Sequence, residues 1–76
     1  MLELKYERFA RRLGLRVLQI RRDLGLIQQE LAQRAGINPG YLSLIENGQR
    51  LPSLETLVKL AEVLRVPLFE FFVLAE

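Results

Sequence analysis

Residues 28–48 read QQELAQRAGINPGYLSLIENG, and this segment is the most informative part of the chain. Its apolar residues follow a helical period on both sides of Gly36, which predicts two short amphipathic helices separated by a tight turn. Glycine readily adopts the positive φ that ends a helix and turns the chain. Asn38 followed by Pro39 is typical of the N-cap and first turn of a new helix. Two helices that cross steeply beyond a glycine-containing turn form a helix-turn-helix, whose second helix can enter the DNA major groove.

Helical patterns also flank this unit on both sides. Before it, apolar residues recur at spacings of three and four, which predicts one long amphipathic helix that ends at Gly25. After it, Ser53 is a good N-cap for a fourth helix, and Pro67 begins a fifth. The sequence therefore predicts one all-α domain over residues 1–76, in which the helix-turn-helix proper covers residues 28–47. The five helices are expected at about 4–23, 28–35, 39–47, 54–64 and 67–75.

Arg21 interrupts the apolar face that is predicted for the first helix. The residues expected to face the core are Tyr6, Phe9, Leu13, Val17, Ile20 and Leu24 in the first helix and Leu54, Leu57, Val58, Ala61 and Leu64 in the fourth. A core-facing charge needs a partner, and Glu46 is the expected one because it flanks the buried face predicted for the third helix. The alternative is that the Arg21 side chain extends along the surface to reach water.

The composition excludes several classes of protein. A chain of 76 residues forms one small domain, and without Cys or His it has no disulfide framework, zinc site or His-based catalytic dyad. The longest apolar run, residues 71–75, is too short to span a membrane, and the N-terminus lacks the apolar core of a signal peptide. The carboxylates are scattered, and no nucleophile stands beside a base. We therefore expect a cytoplasmic protein without catalytic residues, metal, cofactor, small-molecule ligand or membrane partner.

The charge distribution says more about a partner than the net charge does. The net charge is only +2, which is little evidence for binding to nucleic acid. Nine of the eleven basic residues, however, are Arg, whose planar guanidinium favours bidentate contact with phosphate or carboxylate. The alternative for most of these arginines is an ordinary solvated helix face.

The predicted fifth helix is apolar on nearly all sides. Such a helix is either central to a fold or covered by another chain, and a domain this small favours the second option. The sequence therefore predicts a homodimer that forms through this helix, with Leu15 and Leu18 as further candidates. The residues expected at the dimer contact are Phe71, Phe72, Val73 and Leu74.

Several short motifs lie in a fixed order between about residue 13 and residue 72. They are Leu13-Gly14, Arg21 before Gly25-Leu26, Gln28, Glu30-Leu31-Ala32, Gly36, Tyr41-Leu42-Ser43, Ile45-Glu46, Gly48, Arg50 and Pro52-Ser53-Leu54. This ordered set resembles the phage-repressor or Cro-like helix-turn-helix family, also called the xenobiotic-response-element (XRE) family. The resemblance implies a five-helix, phage-repressor-like DNA-binding domain and an ion pair between Arg21 and Glu46. It also implies double-stranded operator DNA as the partner.

The residues expected to contact DNA fall into two sets. At about 100° per residue, the third helix places Tyr41, Leu42 and Ile45 on its inner side. The candidates for base reading on and beside the outer side are Asn38, Pro39, Gly40, Ser43, Leu44 and Asn47. The candidates for phosphate binding are Gln28, Gln29, Gln49 and Arg50, where Gln28 is similar to the glutamine with which the family anchors a phosphate.

The sequence departs from the family pattern at several of these positions. Pro39 and Gly40 replace polar base-reading side chains, and Leu44 replaces a frequent glutamine. Ile27 stands where Ser or Thr usually caps the second helix. Ser43 and Asn47 are then the polar side chains that contact the bases, or else they are ordinary polar surface residues. Leu44 is either a contact for a thymine methyl group or a surface hydrophobe.

These observations predict a sequence-specific DNA-binding transcriptional regulator. We expect a repressor that acts as a homodimer on a palindromic operator and is associated with the nucleoid. The alternative is an antitoxin or a protein-interaction module that binds a partner through its hydrophobic C-terminal helix. A stoichiometric partner in a pull-down would distinguish the two.

Overall fold

Helix α1 (Leu2–Asp23) spans the whole molecule. The computed structural model describes the backbone of residues 2–74 and the side chains of residues 6–74. At about 1.5 Å per residue the 22 residues of α1 make a helix about 33 Å long, close to the 35 Å longest extent of the molecule. The elements that follow are α2 (Gln28–Ala35), α3 (Pro39–Glu46), α4 (Leu54–Leu64) and the 3-10 helix η1 (Leu68–Phe72). Residues 2–74 contain no β-strand, and the all-α prediction is confirmed.

Helix α1 approaches α3 closely at a glycine. A Cβ atom added to Gly14 would collide with the backbone carbonyl oxygen of Ile45, so only glycine allows this separation. Helix α1 also packs on η1, while α2 packs on both α3 and α4. The side chains that fill the space between them with almost no exposure are Leu13, Val17, Leu31, Leu42, Ile45, Leu60, Leu64 and Phe71.

The start of each later helix follows from local capping. The Ser53 hydroxyl accepts the backbone N–H of Thr56 at 3.1 Å, as expected for the N-cap of α4. Ile27 has no side-chain acceptor, yet α2 still begins at Gln28. The Glu30 carboxylate instead accepts the backbone N–H of Ile27 at 3.0 Å, which supplies half of a capping box.

Four residues that were expected in the core are exposed. Helix α1 ends at Asp23, so Leu24 lies beyond its last turn, and Tyr6 is half exposed. In α4 the buried residues are Thr56, Leu57, Leu60, Ala61 and Leu64. Because this face is centred between Leu60 and Leu64, the 100° rotation per residue turns Leu54 and Val58 toward the surface. The prediction was wrong because an apolar residue at helical spacing does not show which neighbour the helix packs against.

The predicted fifth α-helix is shorter and of a different kind. Residues 68–72 form a single 3-10 helix, whereas an α-helix was expected over residues 67–75, of which residue 75 lies outside the described part. The Arg16 guanidinium donates from Nε to the carbonyl oxygen of Glu70 at 2.8 Å and from Nη2 to Glu70 Oε1 at 2.7 Å. This clamp holds the segment against α1, with Phe71 fully buried beneath it. Tertiary contacts thus fix the tighter conformation, which apolar content alone does not reveal.

Candidate nucleic-acid interface

The turn between α2 and α3 has the geometry that the sequence predicts. Gly36 has φ +71°, and its N–H donates to the carbonyl oxygen of Gln33 at 3.2 Å. The next N–H, of Ile37, donates to the carbonyl oxygen of Ala32 at 2.9 Å, which completes a Schellman end to α2. Asn38 Oδ1 then accepts the N–H of Gly40 at 2.6 Å and caps α3.

Helix α3 has a buried inner side and an accessible outer side. Leu42 and Ile45 are fully buried, and Tyr41, which was expected beside them, is half-buried. None of the base-reading candidates is fully buried: Asn38, Pro39, Gly40 and Asn47 are exposed, and Ser43 and Leu44 are half-buried. The accessible face of α3 therefore carries few hydrogen-bonding side chains.

A buried ion pair joins α3 to α1. Arg21 Nε lies 2.7 Å from Glu46 Oε2, and Nη2 lies 2.9 Å from Oε1, so the contact is bidentate. The Arg21 side chain is 8% exposed and that of Glu46 is not exposed at all, so the alternative in which Arg21 extends to water does not occur. The hydrogen bond to Glu46 raises the pKa of Arg21 against the opposing effect of burial, so the guanidinium stays protonated.

Two further hydrogen bonds extend this pair to the start of α2. Arg21 Nη1 donates to the carbonyl oxygen of Leu26 at 2.7 Å, and Gln28 Nε2 donates to Glu46 Oε1 at 2.8 Å. The Gln28 side-chain amide is therefore hydrogen-bonded to the ion pair. Its NH2 group has a second N–H that can donate to another acceptor. No sequence pattern predicted this contact, because it depends on how α2 and α3 cross.

The phosphate-binding candidates lie at both ends of the α2–α3 unit. Gln28 is the first residue of α2, and Gln29 beside it is exposed. Gln49 and Arg50 are exposed in the loop after α3, where the N–H of Gln49 donates to the carbonyl oxygen of Leu44 at 2.9 Å. Gln28 and Gln29 precede α3 in the sequence, and Gln49 and Arg50 follow it. Their side chains provide amide and guanidinium donors.

The residues predicted at a dimer contact divide into two groups. Phe71 is fully buried in the core of its own chain, so its assignment to a dimer surface was wrong. Phe72 and Val73 are 43% and 55% exposed, and Leu74 is half-buried. Phe72 also stacks on Phe9, with ring centroids 6.4 Å apart. Phe69, which the sequence analysis did not single out, is 65% exposed and lies in the same short helix.

An open groove adjoins the loop after α3. It has a volume of about 480 Å³ and is lined by Tyr6, Glu7, Ala10 and Arg11 of α1 and by residues 47–51. Sequence reasoning missed this groove, because the first turns of α1 are far in sequence from the loop that they face. Among the side chains of residues 6–74 no three His, Cys, Asp or Glu could together hold a metal ion. Within residues 2–74 no helix has the length and apolarity to cross a membrane.

Most of the chain matches one known protein family. The model of the helix-turn-helix family matches residues 17–71, which is more than half of the chain. The chain belongs to the XRE-type helix-turn-helix family. Like its relatives it is a transcriptional regulator with a helix-turn-helix DNA-binding fold and is not an enzyme.

Individual relatives agree with this membership. An uncharacterised helix-turn-helix transcriptional regulator, y4dJ of Sinorhizobium fredii, is 42% identical over 53 residues, or 70% of this chain and 69% of that protein. The transcriptional regulator SinR of Bacillus subtilis is 44% identical over 55 residues, and the match covers 71% of this chain but only 50% of SinR. The crystal structure of the restriction-modification controller protein C.AhdI of Aeromonas hydrophila is similar with a TM-score of 0.81 and 35% identity. That likeness covers 83% of this chain and 96% of the controller protein.

Proposed function

We propose that this protein is a sequence-specific repressor that binds a palindromic DNA operator as a homodimer. The observation that carries the proposal is the combination of an accessible outer face on α3 with a rigid inner face. Leu42 and Ile45 fix the inner face in the core, and the buried pair of Arg21 and Glu46 ties it to α1. A helix held in this way can enter the major groove without rearranging.

The contacts to bases and to phosphates have different roles in this proposal. Ser43 and Asn47 offer hydrogen bonds to base edges, and Leu44 offers an apolar contact to a thymine methyl group. Asn38, Pro39 and Gly40 lie at the start of α3, where they approach the bases without long side chains. Gln28, Gln29, Gln49 and Arg50 bind the phosphates on both sides of the groove, and most of the affinity comes from these contacts.

Exposed aromatic and aliphatic side chains support the dimer. Phe69, Phe72 and Val73 form an apolar surface at the C-terminal end of the described chain, and Leu74 borders it. A two-fold contact there would place two copies of α3 about 34 Å apart, which is one turn of B-DNA. A palindromic operator is the DNA counterpart of that symmetry.

Selection of bound sequences from a random DNA pool tests this function. A consensus of two inverted half-sites spaced by about one helical turn is expected from the two-fold arrangement. A reporter gene with the selected site placed over its promoter should then be expressed less when the protein is present, because the bound dimer blocks the polymerase. Recovery of no consensus would contradict sequence-specific binding, and a single half-site would contradict the dimer. The nucleoid in the cytoplasm is the location that fits this role.

A second candidate is a protein-interaction module that uses the same apolar surface. The observation that favours it is the exposure of Phe69, which at 65% is unusually large for a phenylalanine. One similar solved structure is a complex of the SinR and SinI proteins, with a TM-score of 0.77. A purified chain that stays monomeric but captures one stoichiometric protein would support this candidate over the homodimer.

A further inference from the structure

The groove between the first turns of α1 and the loop after α3, called the α1 groove below, is lined by two segments that are far apart in the sequence. One wall carries Tyr6, Glu7 and Arg11 of α1, and the other is the segment 47–51. With a volume of about 480 Å³ and an open shape, it can admit an extended chain. The α1 wall precedes residue 17, so it lies outside the part of the chain that the helix-turn-helix family model matches.

The two walls are held at a fixed separation. Gly48 has φ +75°, and a Cβ atom added there would lie 2.7 Å from Arg11 Cα. Glycine is therefore the one residue that lets α1 rest directly on the loop. The backbone of Arg11 is thus fixed beside Gly48, directly after the end of α3.

The charges in the α1 groove suit an anion. Arg11 and Arg50 are exposed basic residues on opposite walls. The acidic residue of the lining, Glu7, lies 3.4 Å from Arg11, and the two side chains are 51% and 58% exposed. An ion pair this exposed contributes little stability, so Arg11 can exchange the Glu7 carboxylate for a phosphate.

The α1 groove continues the surface that is proposed to bind DNA. Its loop wall consists of Asn47, Gly48, Gln49, Arg50 and Leu51, of which three are candidates for base or phosphate contact. A DNA strand that passes Gln49 and Arg50 therefore runs directly into the α1 groove. Tyr6, half exposed on the far wall, adds a hydroxyl donor that can reach a phosphate oxygen.

We propose that the α1 groove binds the DNA backbone beside the half-site, with Arg11 and Tyr6 contacting a phosphate that the helix-turn-helix does not reach. This inference rests on the proposed function and extends its DNA contact surface to the first turns of α1. Glu7 opposes the contact, because its carboxylate lowers the positive potential at the same position.

Two charge changes of opposite sign test the proposal by titration of operator DNA at several salt concentrations. Arg11→Gln should weaken binding and reduce the slope of log affinity against log salt by about 0.9. The advantage of the unchanged protein over R11Q should then be about 3.5-fold larger at 50 mM than at 200 mM salt. Glu7→Gln should strengthen binding, because it removes the opposing carboxylate. Glutamine keeps the Cβ and Cγ atoms of Arg11 that pack near Gly48, so the fold is expected to persist, which circular dichroism will check.

Matched controls come from α4. Lys59 lies 3.8 Å from Glu55 in an exposed pair with the same spacing, and Glu62 is exposed in the same helix. Lys59→Gln and Glu62→Gln change the net charge by the same amounts as R11Q and E7Q, at residues that do not line the α1 groove. If the controls reproduce both effects, the change reflects total charge and the proposal fails.

The contacted phosphate can be located by replacing single phosphates of the operator with neutral methylphosphonates. At one position in each half-site, on the flank next to the bases read by Asn47, the replacement should weaken the unchanged protein but not R11Q. A scan in which no position distinguishes the two proteins would overturn the proposal. Failure of the unchanged protein to bind any DNA would instead refute the proposed function itself. Pyrophosphate could instead stabilise the DNA-free unchanged protein but not R11Q, while R11Q leaves the salt slope of DNA binding unchanged. That result would assign the α1 groove to a small anion and would also overturn the proposal.

Discussion

Glu46 shows how a single side chain sets the position of a helix. Its carboxylate accepts hydrogen bonds from Arg21 of α1 and from Gln28 of α2, although Glu46 itself ends α3. Every described buried polar side-chain atom has a hydrogen-bond partner, so none of these buried groups is left unpaired. The sequence predicted the Arg21 contact because a charge on an apolar stripe needs a partner. No sequence pattern predicted the Gln28 contact, because glutamine is common at the start of a helix.

Removal of one charge from this pair should be costly. Arg21→Met or Glu46→Gln should each lower the free energy of unfolding by about 3–5 kcal/mol, because the remaining partner keeps a buried charge without compensation. The double variant should lose much less than the sum of the two. Denaturant unfolding of all four proteins gives the coupling energy. The exposed pair of Glu55 and Lys59 is the control and should show a coupling below about 1 kcal/mol. An equally small coupling between Arg21 and Glu46 would contradict a stabilising role for the buried ion pair.

Arg65 occupies a conformation that favours glycine. It ends α4 with φ 57° and is the one non-glycine residue with positive φ in the described chain. Arg65→Gly should raise the free energy of unfolding by about 0.5–1 kcal/mol, because it removes the steric cost of the left-handed conformation. Lys59→Gly, within the same helix, should lower it by about 1 kcal/mol. Thermal unfolding of the two variants provides the comparison, and a loss of stability in both would contradict the backbone argument.

The sequence predicted the helix ends that are set by local capping residues. Gly36, Asn38 and Ser53 carry capping signals, and α2 ends, and α3 and α4 begin, where these signals place them. The fifth element differed because its conformation depends on the distant contact between Arg16 and Glu70. The close approach of α1 and α3 at Gly14 could not be predicted either, because a glycine inside a helix does not indicate which backbone lies against it.

The close contact between α1 and α3 can be tested at Gly14. Gly14→Ala should destabilise the fold by about 1–3 kcal/mol, because the new methyl group meets the carbonyl oxygen of Ile45, which cannot move independently of α3. Alanine favours helix in an open position, so Gln19→Ala on the exposed face of α1 should be neutral or slightly stabilising. Chemical denaturation of the Gly14→Ala and Gln19→Ala proteins measures the change in the free energy of unfolding at each position. Increased stability of the Gly14→Ala protein would show that the two helices are not in close contact.

The sequence pattern did not show which apolar residues lie on the surface of the folded molecule and which lie in its core. Phe71 and Phe69 are two residues apart, yet one is fully buried and the other is 65% exposed. Periodicity identified the segment as apolar, but only the packing of η1 on α1 shows which ring remains available. For the same reason the α1 groove could not be predicted, because its walls meet only in the folded chain.

The exposed apolar surface predicts a dimer that one substitution should disrupt. Phe69→Glu should shift the protein to monomers in sedimentation experiments at tens of micromolar, because a carboxylate would be buried at the contact. Leu54→Glu is the matched control, since Leu54 is 63% exposed on α4 and should leave the dimer intact. If the unchanged protein sediments as a monomer both with and without operator DNA, the dimer is refuted.

In the proposed function, the outer face of α3 reads the DNA sequence. The most direct test compares binding of operator and random duplexes by a Ser43→Ala, Leu44→Ala and Asn47→Ala triple variant. The triple variant should bind both duplexes about equally, with losses of about 1–3 kcal/mol per good contact confined to the operator. Arg50→Gln should instead weaken both duplexes alike, because phosphates carry no sequence information. If the triple variant retained the full discrimination of the unchanged protein, α3 would not be the reading helix.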